Sequence, residues 1–180
     1  MNAPITATAA VVLTRHQGML EQTCGGDYLF HSDENAAYNL GQKSIQCGRR
    51  ADSLKVWLSW KAIGNKGFSD KIDDLQEIKQ SCVNTITASH ELHMIGPSPY
   101  LNVLFQYRPE ATLNEEKLRA LNISICKNMQ AQGGAFVDYA KYQGKTGIRL
   151  ILANSDTQTS DIERLLSHCI KTGEALVNAS

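Results

Sequence analysis

Apolar positions along the chain change their spacing several times, and each change marks an element. Ala7 to Leu13 is a short, β-branched apolar run, which predicts a strand buried on both faces. Gly18 to Thr23 predicts a brief helix. GGDYLFHSDENAAYNLGQKSIQCGRR follows, from Gly25 to Arg50, and sustains the period of neither helix nor strand. Connections of that length are uncommon in compact domains and are usually functional or disordered. From Ala51 the pattern is helical, with Leu54, Trp57 and Leu58 on one stripe and Val56, Trp60 and Ile63 on another. A helix apolar around most of its girth is expected to be buried, and Gly64 is expected to end it.

A longer helix is predicted after Phe68, its buried stripe formed by Ile72, Leu75, Ile78, Cys82 and Ile86. Asp70, Asp73, Glu77 and Lys79 make its wet face, and it stops near His90. The GPSP at 96–99 joins short strands around His93 and from Asn102 to Tyr107. Leu118, Leu121, Ile125 and Met129 define a helix that ends at Gly133 and Gly134, residues suited to a left-handed C-terminal cap. Strands are expected at Phe136 to Tyr142 and Gly147 to Leu152, with a hairpin turn at Gly144 to Gly147. Ser160 and Glu163 have capping-box spacing ahead of an amphipathic helix carrying Ile162, Leu165, Leu166, Cys169, Ile170, Leu176 and Val177.

After residue 90 the order is therefore ββαββα, a small antiparallel sheet with helices on one face, an α+β unit. The first ninety residues offer one strand, a long loop and two helices, without the neighbouring strands that would cover them. Their covering surface is expected to lie upstream of this sequence.

Composition narrows the function. With 180 residues, 42% of them hydrophobic, the chain has material for a core, and 18 basic residues balance 18 acidic ones. That balance, with no run of Lys and Arg, argues against nucleic acid or an anionic membrane as partner. Five scattered cysteines (Cys24, Cys47, Cys82, Cys126, Cys169) show no zinc-ligand spacing and point to reduced thiols and a cytoplasmic location. MNAPITATAAVVLTRH lacks the basic start and the apolar length of a signal peptide, and no segment has the length of a membrane span.

A few residues are candidates for chemistry. In GIRLIL, strand alternation places Ile148, Leu150 and Leu152 on one face and Arg149 on the other. A guanidinium in mid-strand calls for an anion, either a neighbouring carboxylate or a substrate carboxylate held in its fork. Tyr28, beside Gly25 and Gly26 as hinge residues, reads either as an anchor for the loop or as a proton donor delivered by loop closure. His31 reads as an exposed polar residue. KSIQCGRRAD enters a helix, so Ser44 and the backbone beside it suit either ordinary capping or a phosphate. Cys47 is a packed thiol or a reactive one near Arg49 and Arg50. The sequence contains no P-loop, dinucleotide fingerprint or nucleophile elbow.

Taken together, three stretches resemble one family. YLFHSDENAAYNLGQKSIQCGRRADSLKVWLSWKAIGNKGF, NVLFQY at 102–107 and IRLILANSDTQTSDIERLL at 148–166 are similar to group II pyridoxal phosphate decarboxylases, in the glutamate and cysteine-sulfinate decarboxylase branch. The resemblance implies the C-terminal portion of a fold-type I, PLP-dependent transferase-like enzyme, α/β plus α+β. Residues 1–90 would be the end of the PLP-binding large domain, with the catalytic loop at about 24–43, and residues 91–180 the small domain.

In that family the cofactor lysine stands in a His-Lys pair just before a stretch similar to MNAPITATAAVVL, so the resemblance places it upstream of Met1. It implies that the long loop closes over the active site of the opposite protomer in a dimer, and that Tyr28 protonates the substrate α-carbon after carbon dioxide leaves. Arg149 would grip a substrate carboxylate, and Ser44 with the Gln46, Cys47, Gly48 turn would contact the cofactor phosphate. The implied activity is decarboxylation of an acidic amino acid (glutamate, aspartate or cysteine sulfinate) with a partner subunit bearing the lysine. A non-catalytic interaction protein of the same fold is the alternative, and decarboxylation-dependent oxidation is a third reading. The loop is slightly shorter than in the animal enzymes, His31 stands where a glutamine is usual, and Ser155 where a proline is typical.

Overall fold

The computed structural model describes residues 50–110 and 113–179, together with Arg15, His16 and Met19. The strand expected at Ala7 to Leu13, and nearly all of the helix from Gly18 and the loop from Gly25, lie outside those residues. The chain divides into two compact units, one reaching Gly64 and one beginning at Asn65.

Helix α1 (Asp52–Ala88) runs through the division, and it is two helices joined at Gly64, whose φ of 73° and ψ of 171° are not helical. Only glycine adopts that conformation without strain, which is why the apolar pattern breaks there. In the first segment Ser59 Oγ donates to the Lys55 carbonyl at 2.8 Å, and Lys61 Nζ lies 5.7 Å from the centroid of the Trp57 ring. The expectation of burial around this segment is not met. Leu54, Trp57, Leu58 and Trp60 are each about half exposed, at 50–54%. Apolar periodicity reports which residues favour burial, and says nothing about whether the covering surface belongs to the same unit.

The second unit holds the core. The rest of α1 contributes Leu75, Cys82 and Ile86 to it, with Ile78 partly buried. Ile72, expected on that stripe, is 51% exposed; its i,i+3 spacing to Leu75 puts it on the same helix face, but it stands one turn before Leu75, the first residue that α1 gives to the core. Strands β1 (Leu92–Met94), β2 (Asn102–Tyr107), β3 (Asp138–Tyr142) and β4 (Lys145–Ile151) form one sheet in the order β1-β2-β4-β3. Every neighbouring pair is antiparallel. Helices α2 (Glu115–Ala131) and α3 (Thr159–Asn178) pack on each other and against the sheet. The ββαββα order expected after residue 90 is the order found.

Register decides which side chains meet those helices. Val103 pairs with Leu150 and Phe105 with Ile148, so all four point to one face, where they join Ile125, Cys126 and Met129 of α2 and Ile162, Leu166 and Cys169 of α3. Gly173 of α3 is required by this packing. A Cβ there would lie 2.5 Å from the Tyr107 ring.

Local signals explain where the elements stop. Asn114 caps α2 by accepting the Lys117 N–H at 2.9 Å, an interaction worth about 1 kcal/mol. The helix ends in a Schellman motif. The Gly134 N–H reaches the Met129 carbonyl and the Gly133 N–H the Gln130 carbonyl, each at 3.0 Å, with Gly133 at φ 67°. The β3–β4 turn consists of Gln143 and Gly144, both at positive φ (45° and 85°), a two-residue hairpin turn of the primed kind, so it lies earlier than the expected Gly144 to Gly147. At α3 the Asp161 carboxylate accepts the Gln158 N–H at 3.0 Å, which places the cap two residues before the expected Ser160. Ser155 accepts a hydrogen bond from Lys71 Nζ at 3.3 Å, tying the turn after β4 to α1.

Candidate functional site

One face of the sheet is packed on helices. On the other, β4 presents Gly147, Arg149 and Ile151, β2 presents Asn102, Leu104 and Gln106, and β3 presents Asp138, Ala140 and Tyr142, as the pairing register requires. This face is closed at one end. The Ile95 methyl would sit 2.8 Å from a Cβ at Gly147, and the Tyr142 ring 3.0 Å from a Cβ at Gly96, so the chain leaving β1 lies across it. Gln106 is buried at that end, its Nε2 donating to the Thr146 carbonyl at 3.0 Å. Among the described residues nothing donates to Gln106 Oε1.

At the other end Arg149 is exposed, as strand alternation predicts. Its Nη2 donates to Asn102 Oδ1 at 3.3 Å, one long bond to a neutral acceptor. None of the four ion pairs among the described residues includes it. Asp138 stands directly opposite Arg149 in the β3–β4 register, yet its Oδ1 accepts the Tyr139 N–H at 2.8 Å. The neighbouring-carboxylate reading of Arg149 thus finds no ion pair in this unit. What remains is an exposed guanidinium whose donors, beyond the one bond to Asn102, are able to take an anion bidentately.

Sequence reasoning found Arg149 but passed over Asn102 and Asp138. Strand phase marks Asn102 as sharing the Arg149 face, whereas Asp138 needs the hairpin register, which depends on where the turn falls. Tyr28, Ser44, Gln46, Cys47 and Gly48 lie outside the described residues.

Other chemistry is narrower here. Burial pushes the thiols of Cys82 and Cys126 up to about 11 and that of Cys169 up to about 12, so these are packed groups and not nucleophiles. No group of His, Cys, Asp and Glu among the described residues has the arrangement of a metal site. None of their lysines is buried; Lys55 pairs with Asp52 at 2.8 Å and Lys66 with Asp70 at 2.7 Å. No helix of the described residues is long and apolar enough to cross a membrane.

Residues 3–108 match the pyridoxal-dependent decarboxylase conserved domain, more than half of the chain. This chain belongs to that family. The fold agrees. Against mouse cysteine sulfinic acid decarboxylase in its apo form the TM-score is 0.73 at 25% identity, covering 88% of this chain and 34% of that one. Against the glutamate decarboxylase domain of the diaminobutyrate-pyruvate transaminase and L-2,4-diaminobutyrate decarboxylase from Vibrio parahaemolyticus, the TM-score is 0.64 at 23% identity, covering 78% and 30%. Against Oryza sativa TDC with PLP and tryptamine it is 0.68 at 18%, covering 76% and 29%.

The chain therefore spans about a third of the length of the decarboxylases it resembles, and its antiparallel sheet with helices on one face is a C-terminal portion of the PLP-dependent decarboxylase fold. The cofactor of this family is pyridoxal phosphate. The described residues offer no buried lysine to hold it covalently.

Proposed function

We propose that this chain forms part of a PLP-dependent decarboxylase of acidic amino acids, such as glutamate, aspartate or cysteine sulfinate. The observation that carries the reading is Arg149, an exposed guanidinium bonded, among the described residues, only to the amide oxygen of Asn102. In this role its fork binds and orients a substrate carboxylate, a charge-assisted bidentate contact that fixes direction as well as position. Tyr28, on the loop that shuts water from the site, gives its hydroxyl proton to the substrate α-carbon once carbon dioxide has left. Ser44, Gln46, Cys47 and Gly48 meet the cofactor phosphate through hydroxyl and backbone donors. When bound, pyridoxal phosphate supplies the electron sink that makes loss of carbon dioxide feasible.

The lysine that holds the cofactor comes, in this reading, from an N-terminal decarboxylase segment or subunit. Residues 1–90 complete its large domain and residues 91–180 form the small domain, two such pairs making a dimer in the cytoplasm. The half-exposed side chains of Leu54, Trp57, Leu58 and Trp60 support a partner surface, and support equally the alternative of a non-catalytic binding protein.

Co-expression with a decarboxylase N-terminal segment separates the two. The expected result is a stable complex that releases carbon dioxide from one of the three acids, with turnover lost in Tyr28→Phe and Arg149→Ala while association is kept. A complex without turnover selects the binding protein, and the absence of any complex defeats both.

A further inference from the structure

Asp138 faces Arg149 across the β3–β4 ladder, and residues paired in this way project to the same side with Cβ atoms about 4.5–5.5 Å apart. Both side chains are exposed. Opposite charges at that separation usually close into an ion pair, but this pair is open, with the Asp138 carboxylate turned onto the Tyr139 N–H at 2.8 Å and Arg149 leaning toward Asn102 at 3.3 Å. Among the described residues the fork thus has no anionic partner, while a negative charge stands beside it. From this arrangement, and resting on the reading of Arg149 as a carboxylate fork, we propose that Asp138 is a specificity-determining residue: it repels any second acid group close to the carboxylate that Arg149 holds, so a diacid binds in one orientation with its far acid group directed away from β3.

The physical reasoning concerns distance. A carboxylate in the Arg149 fork lies a few ångströms from Asp138 whatever its substituent, and this weakens all anions alike. A second carboxylate one carbon away adds a further repulsion of similar size. On a longer chain it escapes, because interaction between exposed charges falls steeply with separation and salt. Asp138 therefore discriminates by the spacing between two acid groups. Asp138→Asn removes the charge and keeps an oxygen to accept the Tyr139 N–H, so the local backbone is retained.

The test uses the full chain and small anions, at constant ionic strength, with the Arg149 side-chain and backbone N–H signals followed by NMR. The probes are propionate, malonate and glutarate. Asp138→Asn is expected to tighten propionate about threefold and malonate about tenfold, with glutarate close to propionate. Equal changes for malonate and glutarate, or none for any probe, would overturn the proposal. If Arg149→Ala abolishes binding while Asp138→Asn leaves it unchanged, the filter fails and the fork stands. If Arg149→Ala binds as well as the native chain, the reading of the fork fails and the filter with it. Absence of binding in both the native chain and Asp138→Asn also counts against it.

Discussion

Asn122 of α2 completes the backbone hydrogen bonding of Tyr107 at the end of β2. Its Oδ1 accepts the Tyr107 N–H at 2.8 Å, and its Nδ2 donates to the Tyr107 carbonyl at 3.0 Å and to the Leu118 carbonyl at 2.9 Å. A fully buried amide thus takes over on the β4 side of β2, where the pairing with β4 ends at Phe105, while β1 still pairs Leu92 with Tyr107. Asn122→Leu keeps the volume and leaves the Tyr107 N–H and C=O buried without partners. We expect a loss of about 3 kcal/mol in urea unfolding with an unchanged m-value.

Gly173 and Tyr107 make a second contact between α3 and the same strand. Alanine is the better helix former by about 1 kcal/mol, so on propensity alone Gly173→Ala would stabilise. Its Cβ would meet three ring atoms of Tyr107 at 2.5–2.7 Å, and that ring is buried and has little room to retreat. Overpacking wins, and the expected outcome is a net loss of about 1–3 kcal/mol. In a Tyr107→Ala background the same substitution should become neutral or stabilising, a coupling that a double-mutant cycle measures directly.

These two residues also show where sequence reading stops. The ββαββα order was legible because each element carries its own period and because Gly133 and Gly134 close α2 in the manner their chemistry predicts. Arg149 was legible because strand alternation needs no partner. Asn122 was overlooked, although its position four residues after Leu118 and four before Cys126 puts a polar amide on an apolar stripe, the one signal available. Asp138 depends on register, and register depends on a turn whose first residue is Gln143 at φ 45°, a conformation its side chain does not announce. The cap of α3 was misplaced because Ser160 and Glu163 satisfy the capping spacing, while the Asp161 carboxylate, one turn in from Gln158, makes the bond.

The buried thiols give a pH prediction with a definite sign. Cys82, Cys126 and Cys169 have pKa values raised from 9.0 to about 11, 11 and 12, chiefly by burial. In the unfolded chain they ionise near 9, so above that pH the unfolded state carries fewer protons than the folded one and gains relative stability. The thiols' contribution to stability is fully present below pH 9 and is lost as pH rises toward 11–12. Urea midpoints should fall over that range. Replacing the three cysteines with alanine should flatten the slope, at a cost in absolute stability from the lost packing. At pH 8 the folded chain should leave all three unmodified by thiol reagents, with labelling of these positions appearing only on unfolding.

Arg149 separates stability from function. Its side chain is exposed and, among the described residues, makes a single 3.3 Å hydrogen bond to Asn102, so Arg149→Ala should change unfolding free energy by less than about 0.5 kcal/mol. In the assembled decarboxylase proposed above, the same change removes a charge-assisted fork and should lower kcat/KM about a hundredfold to a thousandfold. Arg149→Lys keeps the charge and loses the planar pair of donors, so it should fall between the two, with poorer discrimination among the three acids. Steady-state kinetics on the complex, paired with unfolding curves on the same preparations, checks both halves. A variant that lost activity only in proportion to its stability would show that Arg149 serves the sheet and not the substrate.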